Sequence, residues 1–280
     1  MALRAKKPEA VTKRLKLFMY GPAGVGKTTA ACQFPKSYII DGERGAENYE
    51  KLIDASGSVL LQTTDINDVV AEVRLLLTEP HEYRTLVIDP ITTLFDDLLE
   101  KAEAKVGSEF GRHYGEAKKT IRRLTNLLMS LDMNVIITAH AKTEYGDKLQ
   151  KLGITFDGPR GFDYLFDLVV ELAKRGKGQR IGRVVKTRLE IFPDGEAFDW
   201  SYDEIKRRYD AATLERQATT VMLATAEQVS RVKELLAIVR MPDDWVEKCM
   251  AKAGVEAWAD MSTEIIAKCI DAVAKKLPAA

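Results

Sequence analysis

Gly21-Pro22-Ala23-Gly24-Val25-Gly26-Lys27-Thr28 sets glycines, a lysine and a hydroxyl at the spacing G-x-x-x-x-G-K-[ST]. Glycines there let successive backbone N–H groups turn inward onto an anion, and a following helix aims its positive end at the same point. Lys27 is expected to reach the β- and γ-phosphates of a nucleoside triphosphate, with the Thr28 hydroxyl on Mg²⁺ and Thr29 completing the nucleotide-binding set. The flanks agree, since Leu15–Tyr20 reads as a short strand entering the loop and Thr28–Cys32 as a helix leaving it. A glycine turn with a chance lysine would not need that frame.

A second group of polar residues stands at the ends of apolar runs. Thr85-Leu86-Val87-Ile88-Asp89 is a buried strand closing on a carboxylate, the Walker B pattern, so Asp89 and Thr28 are expected to share the metal ion. Pro90 follows Asp89, which removes the adjacent glutamate that many AAA+ and helicase ATPases carry. A base for water must then come from elsewhere. Glu43, just after the strand Ser37-Tyr38-Ile39-Ile40-Asp41, is the leading candidate; an ordinary turn glutamate is the bland alternative. Asp41 competes for the role, although a residue ending a strand can instead be fixed by backbone amides. Asn134-Val135-Ile136-Ile137-Thr138-Ala139-His140 is a further core strand, and His140 at its carboxyl end is read as a sensor of the γ-phosphate.

The elements that must position these groups are strands alternating with amphipathic helices, which implies right-handed βαβ units and a mostly parallel sheet. The chain has 280 residues, 46% hydrophobic and 30% charged, enough for one α/β core and a small appendage. Its 42 basic residues balance 42 acidic ones, so any nucleic-acid contact has to come from a local patch. Cys32, Cys249 and Cys269 show no C-x-x-C spacing and suggest a reducing compartment. With no apolar run of spanning length and no secretion-type leader, the expected location is the cytoplasm, without membrane contact. Four regions are expected: a flexible basic arm (1–14), the core (15–210), a junction (211–224) and a small helical domain (225–280). The last has helices near 226–240, 243–253 and 263–277, around Trp245, Val246, Val255 and Trp258.

Three basic stretches remain. Residues 107–115 break a long helical region with glycines, Phe110, Arg112, His113 and Tyr114, a composition suited to stacking bases and following phosphates, or to a plain interhelical turn. Residues 141–161 read as a mobile, nucleotide-responsive loop in which Lys142, Tyr145, Lys148, Lys151, Phe156 and Arg160 would meet DNA. Arg175–Arg180 reads as a basic hairpin leading into Arg183–Arg188, where Lys186 and Arg188 lie two apart on one strand face and could enter a neighbouring subunit's site.

Taken together, these motifs resemble the RecA-like P-loop ATPases, and most closely the Sak-type RecA-core single-strand annealing proteins of phages, over about residues 15–200. The distinguishing match is Tyr38-Ile39-Ile40-Asp41-Gly42-Glu43, which resembles the RecA strand whose glutamate activates water and implies Glu43 as the catalytic residue. Val184-Val185-Lys186-Thr187-Arg188 before Phe192-Pro193 is similar to the segment carrying two trans-acting lysines, with arginine in the second place. His140 stands where those proteins have a glutamine that couples ATP to DNA. The resemblance implies an ATP- and Mg²⁺-dependent, DNA-stimulated ATPase in the cytoplasm of a bacterium or phage-infected host. Its implied partners are single-stranded DNA, further copies of itself in a ring or filament, and a single-strand-binding protein. The competing expectations are a P-loop motor or helicase-like ATPase of phage DNA metabolism, a P-loop kinase and a non-catalytic nucleotide-gated scaffold.

Overall fold

The computed structural model describes residues 13–145, 150–176 and 178–277, the side chain of Tyr145 excepted. From the amino end, β1 (Lys16–Gly21), α1 (Lys27–Ala31), β2 (Ser37–Asp41), α2 (Glu50–Ala55), β3 (Val59–Gln62), α3 (Ile66–Thr78) and β4 (Thr85–Asp89) alternate strand with helix. Next come α4 (Ile91–Val106), α5 (Arg112–Ser130), β5 (Asn134–Tyr145), β6 (Lys151–Asp157), β7 (Leu168–Arg175), β8 (Gln179–Thr187) and β9 (Ala197–Asp199). The helices α6 (Tyr202–Arg208), α7 (Ala211–Glu215), α8 (Ala226–Ile238), α9 (Trp245–Ala253) and α10 (Thr263–Ala274) complete the chain.

The sheet order is β3-β2-β4-β5-β1-β7-β8-β9; the strands from β3 to β7 along that path run parallel, and β8 and β9 antiparallel. Both faces are covered, which is why the central strands are apolar throughout instead of alternating with polar residues. Phe18, Tyr20, Ile40, Ile88 and Ile137 face the layer formed by α3, α4 and α5. Leu17, Met19, Ile39, Val87 and Ile136, one residue out of phase, face α1, α2, α6 and α7. This is the expected α/β P-loop architecture, a mostly parallel sheet flanked by helices.

Lys16 is the polar exception in β1. Its ammonium donates to the carbonyls of Leu128, Leu131 and Met133 at 3.0 Å each, closing the end of α5 with a cation. Burial pulls its pKa from 10.5 down to about 7, with Asp167 opposing.

Arg14, placed by the sequence in a flexible arm, is instead buried. It donates to Asp132 and to the carbonyls of Thr213 and Gln217, and so ties the start of the core to the segment after α7. The rest of that arm, residues 1–12, lies outside the described residues. Residues 211–224, read as a junction, include α7 with Thr213 and Leu214 buried, and Val221 N–H donates to the Leu77 carbonyl. The stretch 141–161 differs from expectation in kind. Its described residues form the far half of β5 and the antiparallel β6, paired from His140↔Asp157 to Tyr145↔Lys151. Lys-Thr-Glu-Tyr and Ile-Thr-Phe-Asp carry β-favouring residues, Gly153 sits beside the strand irregularity, and Gly158 and Gly161 fall in the turn after β6.

The C-terminal helices pack around Val232, Trp258, Met261 and Ile266, with Trp245 and Trp258 ring centroids 6.2 Å apart. Thr225 and Gln228 form a reciprocal capping box on α8, and Ser262 caps α10. This unit docks on α3 and α5 through Asp260, whose side chain is only 2% exposed. Arg123 grips it with two donors at 2.6 and 3.0 Å, and Arg74 stands 3.3 Å away. Arg122 adds a bond to Glu256 at 2.7 Å.

Two outcomes follow from these contacts. Asp260→Ala leaves two guanidiniums without their buried partner and should cost on the order of 3 kcal/mol; thermal denaturation would read it, with faster proteolytic release of residues 225–277. Burial alone would raise the Asp132 carboxyl, but hydrogen bonds from Arg14, Thr219 and Arg216 outweigh it and hold its pKa at about 2, below the ordinary 3.8. A carboxylate lowered in this way stabilises fully above its unfolded value and ceases to do so as pH falls through the folded one. Asp132→Asn should therefore flatten the fall in melting temperature between about pH 4 and pH 2.

Candidate active site

The phosphate loop follows β1 at the carboxyl edge of the parallel strands. Gly21 admits no side chain, because a Cβ there would lie 2.5 Å from the Leu172 carbonyl oxygen of β7. Gly26 has φ 95, a left-handed value that suits glycine alone. Lys27 folds back and donates its ammonium to the carbonyls of Gly21 and Pro22 at 2.9 and 3.2 Å. Burial lowers the Lys27 pKa, while the charges of Asp89 and Glu43 raise it. Val25 is buried in the core, so Ala23, Gly24 and Gly26 carry the open side of the loop. Because α1 is only five residues long, the loop's amides and Lys27 account for its affinity for anions more than a helix dipole does. Thr29 donates its hydroxyl to Tyr49 at 3.0 Å, closing one wall.

Asp89 ends β4 beside this loop and is 5% exposed. Two hydroxyls donate to it, Thr138 from β5 and Thr28 from α1, so the two residues expected to share a metal ion do converge. Burial raises the Asp89 pKa, with the Thr138 and Thr28 bonds working against it. A buried carboxylate flanked by a threonine hydroxyl is a hard oxygen donor set that fits Mg²⁺. Among the described residues no group of three or more His, Cys, Asp and Glu side chains forms a separate metal cluster. A metal ion here would take its remaining ligands from phosphate and water.

Glu43 and His140 meet across the mouth of the cleft. His140 Nε2 lies 2.9 Å from Glu43 Oε1, and the same oxygen accepts the Thr93 hydroxyl at 2.8 Å. Both side chains are about 42% exposed, open enough for water to reach them. Asp41 has the other role open to it. Buried at 2% exposure, it accepts the backbone N–H groups of Glu43, Gly45 and Ala46 and so fixes the turn that presents Glu43. The His140 N–H donates to the Thr92 hydroxyl, which in turn donates to the Asp157 carbonyl, locking β5 and β6 to the start of α4.

These groups line a cleft of about 870 Å³, a size suited to a nucleotide. Its remaining wall is the β7–β8 hairpin, with Lys174, Gly176, Gly178 and Arg180. Thr138, Thr93 and Arg180 were not assigned roles in the sequence. Thr138 was signalled only by being the one hydroxyl in an apolar strand, and Arg180 only by its basic neighbours.

Lys186 and Arg188 lie at the other end of β8, where Thr187 pairs with Leu168, the first residue of β7. Neither can reach the phosphate loop of its own chain. Lys186 donates to the carbonyls of Asp163, Tyr164 and Phe166, and Arg188 to that of Tyr164 at 2.7 Å. Burial, and then the neighbouring Arg188, lower the Lys186 pKa. Among the residues expected to meet DNA, Lys142, Lys151 and Arg160 are exposed, with Lys142 3.0 Å from Asp157. Phe156 differs from expectation: its ring packs edge-on against Phe18 at 5.0 Å and beside Tyr20, so it serves the core and not an open stacking surface. Lys148 lies outside the described residues, as does the side chain of Tyr145. Arg112 and Tyr114 begin α5, and Tyr114 is 56% exposed.

No curated protein matches the chain. A family model described as an AAA domain matches residues 13–190, the span that holds β1 to β8, the phosphate loop and every residue named in the cleft. The chain belongs to that AAA-domain family of P-loop nucleotide-hydrolysing proteins.

Proposed function

We propose that this P-loop ATPase acts on single-stranded DNA, as a recombination or annealing protein that works as a homo-oligomer, with ATP and Mg²⁺ as its nucleotide and metal. The observation that carries this reading is the path of β5. The strand contacts Asp89 through Thr138, reaches Glu43 through His140, and continues without a break into a hairpin bearing Lys142 and Lys151. A change at the γ-phosphate that moves His140 is thus transmitted along one rigid strand to cations displayed beyond the sheet. A second exposed element suits the same ligand. Phe110 is 98% exposed and holds φ 53, a left-handed conformation unfavourable to an aromatic residue, while Tyr114 stands nearby over His113. Open rings beside Arg112 fit base stacking.

In the hydrolysis step, the loop amides and Lys27 hold the phosphates. Thr28 and Asp89 offer oxygen donors to Mg²⁺, which when bound offsets the charge on the phosphate oxygens. Glu43 orients a water and accepts its proton as the water oxygen bonds to the γ-phosphorus and the bond to the β–γ bridging oxygen breaks, releasing ADP and phosphate. His140 and Thr93 hold Glu43 in place until that water and the γ-phosphate are present. Lys186 and Arg188, remote from their own loop, are assigned to the site of an adjoining subunit, where such cations can be worth ~10³–10⁵ in rate.

Glu43→Gln should keep ATP affinity and lose about 10²–10⁴-fold in kcat. Asp41→Ala, which frees the turn under Glu43, should lower kcat by about 10²-fold through misplacement with little change in KM. Wild-type hydrolysis should rise with single-stranded DNA, and a rate indifferent to DNA would remove the nucleic-acid half of the reading. Mixing Arg188→Ala with Lys27→Ala protein should restore part of the activity that each lacks alone; an assembled mixture that stays inactive would exclude action in trans.

A further inference from the structure

The end of the β7–β8 hairpin folds over the phosphate loop of its own chain. Arg180, paired with Lys174 in the ladder and held by Trp200 N–H donating to its carbonyl, lays its guanidinium against Gly26. A Cβ on Gly26 would lie 2.7 Å from Arg180 Nη2 and 2.8 Å from Cζ, so the glycine makes room for this side chain as well as for its own backbone angle. Arg180 Nε is buried and has no hydrogen-bond partner among the described residues. Other arginines of the core behave differently. Arg207 and Arg208 fold onto Glu204, and Arg208 onto Glu196 as well.

A guanidinium set against the phosphate loop, in the same cleft as the Lys27 ammonium, adds a second positive charge where a polyphosphate would enter. Its planar fork of donors matches phosphate oxygens, and Nε supplies one donor already facing the loop. Resting on the ATP-binding reading above, we propose that Arg180 is a phosphate ligand acting in cis, a second cation that clamps the polyphosphate against the loop. Its role is separate from that assigned to Lys186 and Arg188. Those residues lie at and just past the far end of the same strand, six and eight residues or about 20 and 26 Å away at β-strand rise, and need a second subunit.

The test is equilibrium binding of a fluorescent ATP derivative with Mg²⁺, displaced by unlabelled ATP and by inorganic tripolyphosphate, on the full chain. Arg180→Ala should weaken both competitors by about tenfold or more, the loss expected for one charge-assisted phosphate contact. Loss for tripolyphosphate as well as ATP shows that the phosphates are the group recognised. Arg180→Gln keeps the stem that packs on Gly26 and should match Arg180→Ala; near-wild-type affinity in that variant would overturn a charge-based role. Arg175→Ala, on the same hairpin, should bind as wild type does, and an equal loss there would reduce the effect to general charge and overturn the assignment. If wild type binds and Arg180→Ala binds equally or more tightly, this inference alone falls. A folded wild type that fails to bind ATP removes the ATP reading itself, and the inference with it.

Discussion

The structure is organised around a nearly buried carboxylate that lines the cleft. Asp89 lies at the carboxyl edge of the sheet with hydroxyls from two other elements turned onto it, and burial works against its charge. Such a group is tolerable only where a cation can be supplied, and here Lys27 stands close by while the Thr28 hydroxyl offers a second oxygen donor. Satisfying that one group requires the carboxyl ends of β1 and β4 to lie level with the middle of β5, at Thr138 and His140. The parallel pairing Gly21↔His140 and Ile88↔Ile137 accomplishes this, and so brings the phosphate loop, Asp89 and His140 to one edge of the sheet.

The catalytic side of the cleft shows how a fold holds an exposed group in place. Glu43 is half open to solvent, yet its position is set from below by Asp41, which accepts three consecutive-turn amides, and from the side by Thr93 and His140. Asp41 and Glu43 are separated by one residue and do opposite work, one bound to its own backbone and the other available to water. The difference arises from burial: the first ends a covered strand and the second begins an open turn.

Beyond the sheet, two hairpins leave from β5 and β7, the strands on either side of β1. One continues β5 past the level of its parallel partners, and the other joins β7 to β8 over the phosphate loop. Both carry basic residues, but they face different ligands: Lys142 and Lys151 point outward from the cleft, whereas Arg180 lies inside it. The C-terminal helices are fastened to α3 and α5 by the buried Asp260, which Arg74 and Arg123 hold.

Local chemistry alone determined the strands at 37–41 and 85–89 and the phosphate loop with Lys27 and Thr28, because an apolar run or a glycine pattern needs only its neighbours to be read. The same holds for the C-terminal helices, whose caps at Thr225 and Ser262 are short-range hydrogen bonds. Contacts distant in sequence decided the rest. Arg14 was taken for part of a free tail because its partners, Asp132, Thr213 and Gln217, are far along the chain. The 141–161 stretch was taken for a loop because a hairpin's pairing is not written in either strand by itself, and Phe156 was taken for a nucleic-acid contact because its partner Phe18 lies on a different strand. Arg180 and Arg188 are alike in sequence, one on β8 and one just past its end, and only the antiparallel return of β8 places the first on the phosphate loop and the second at the opposite end of the sheet.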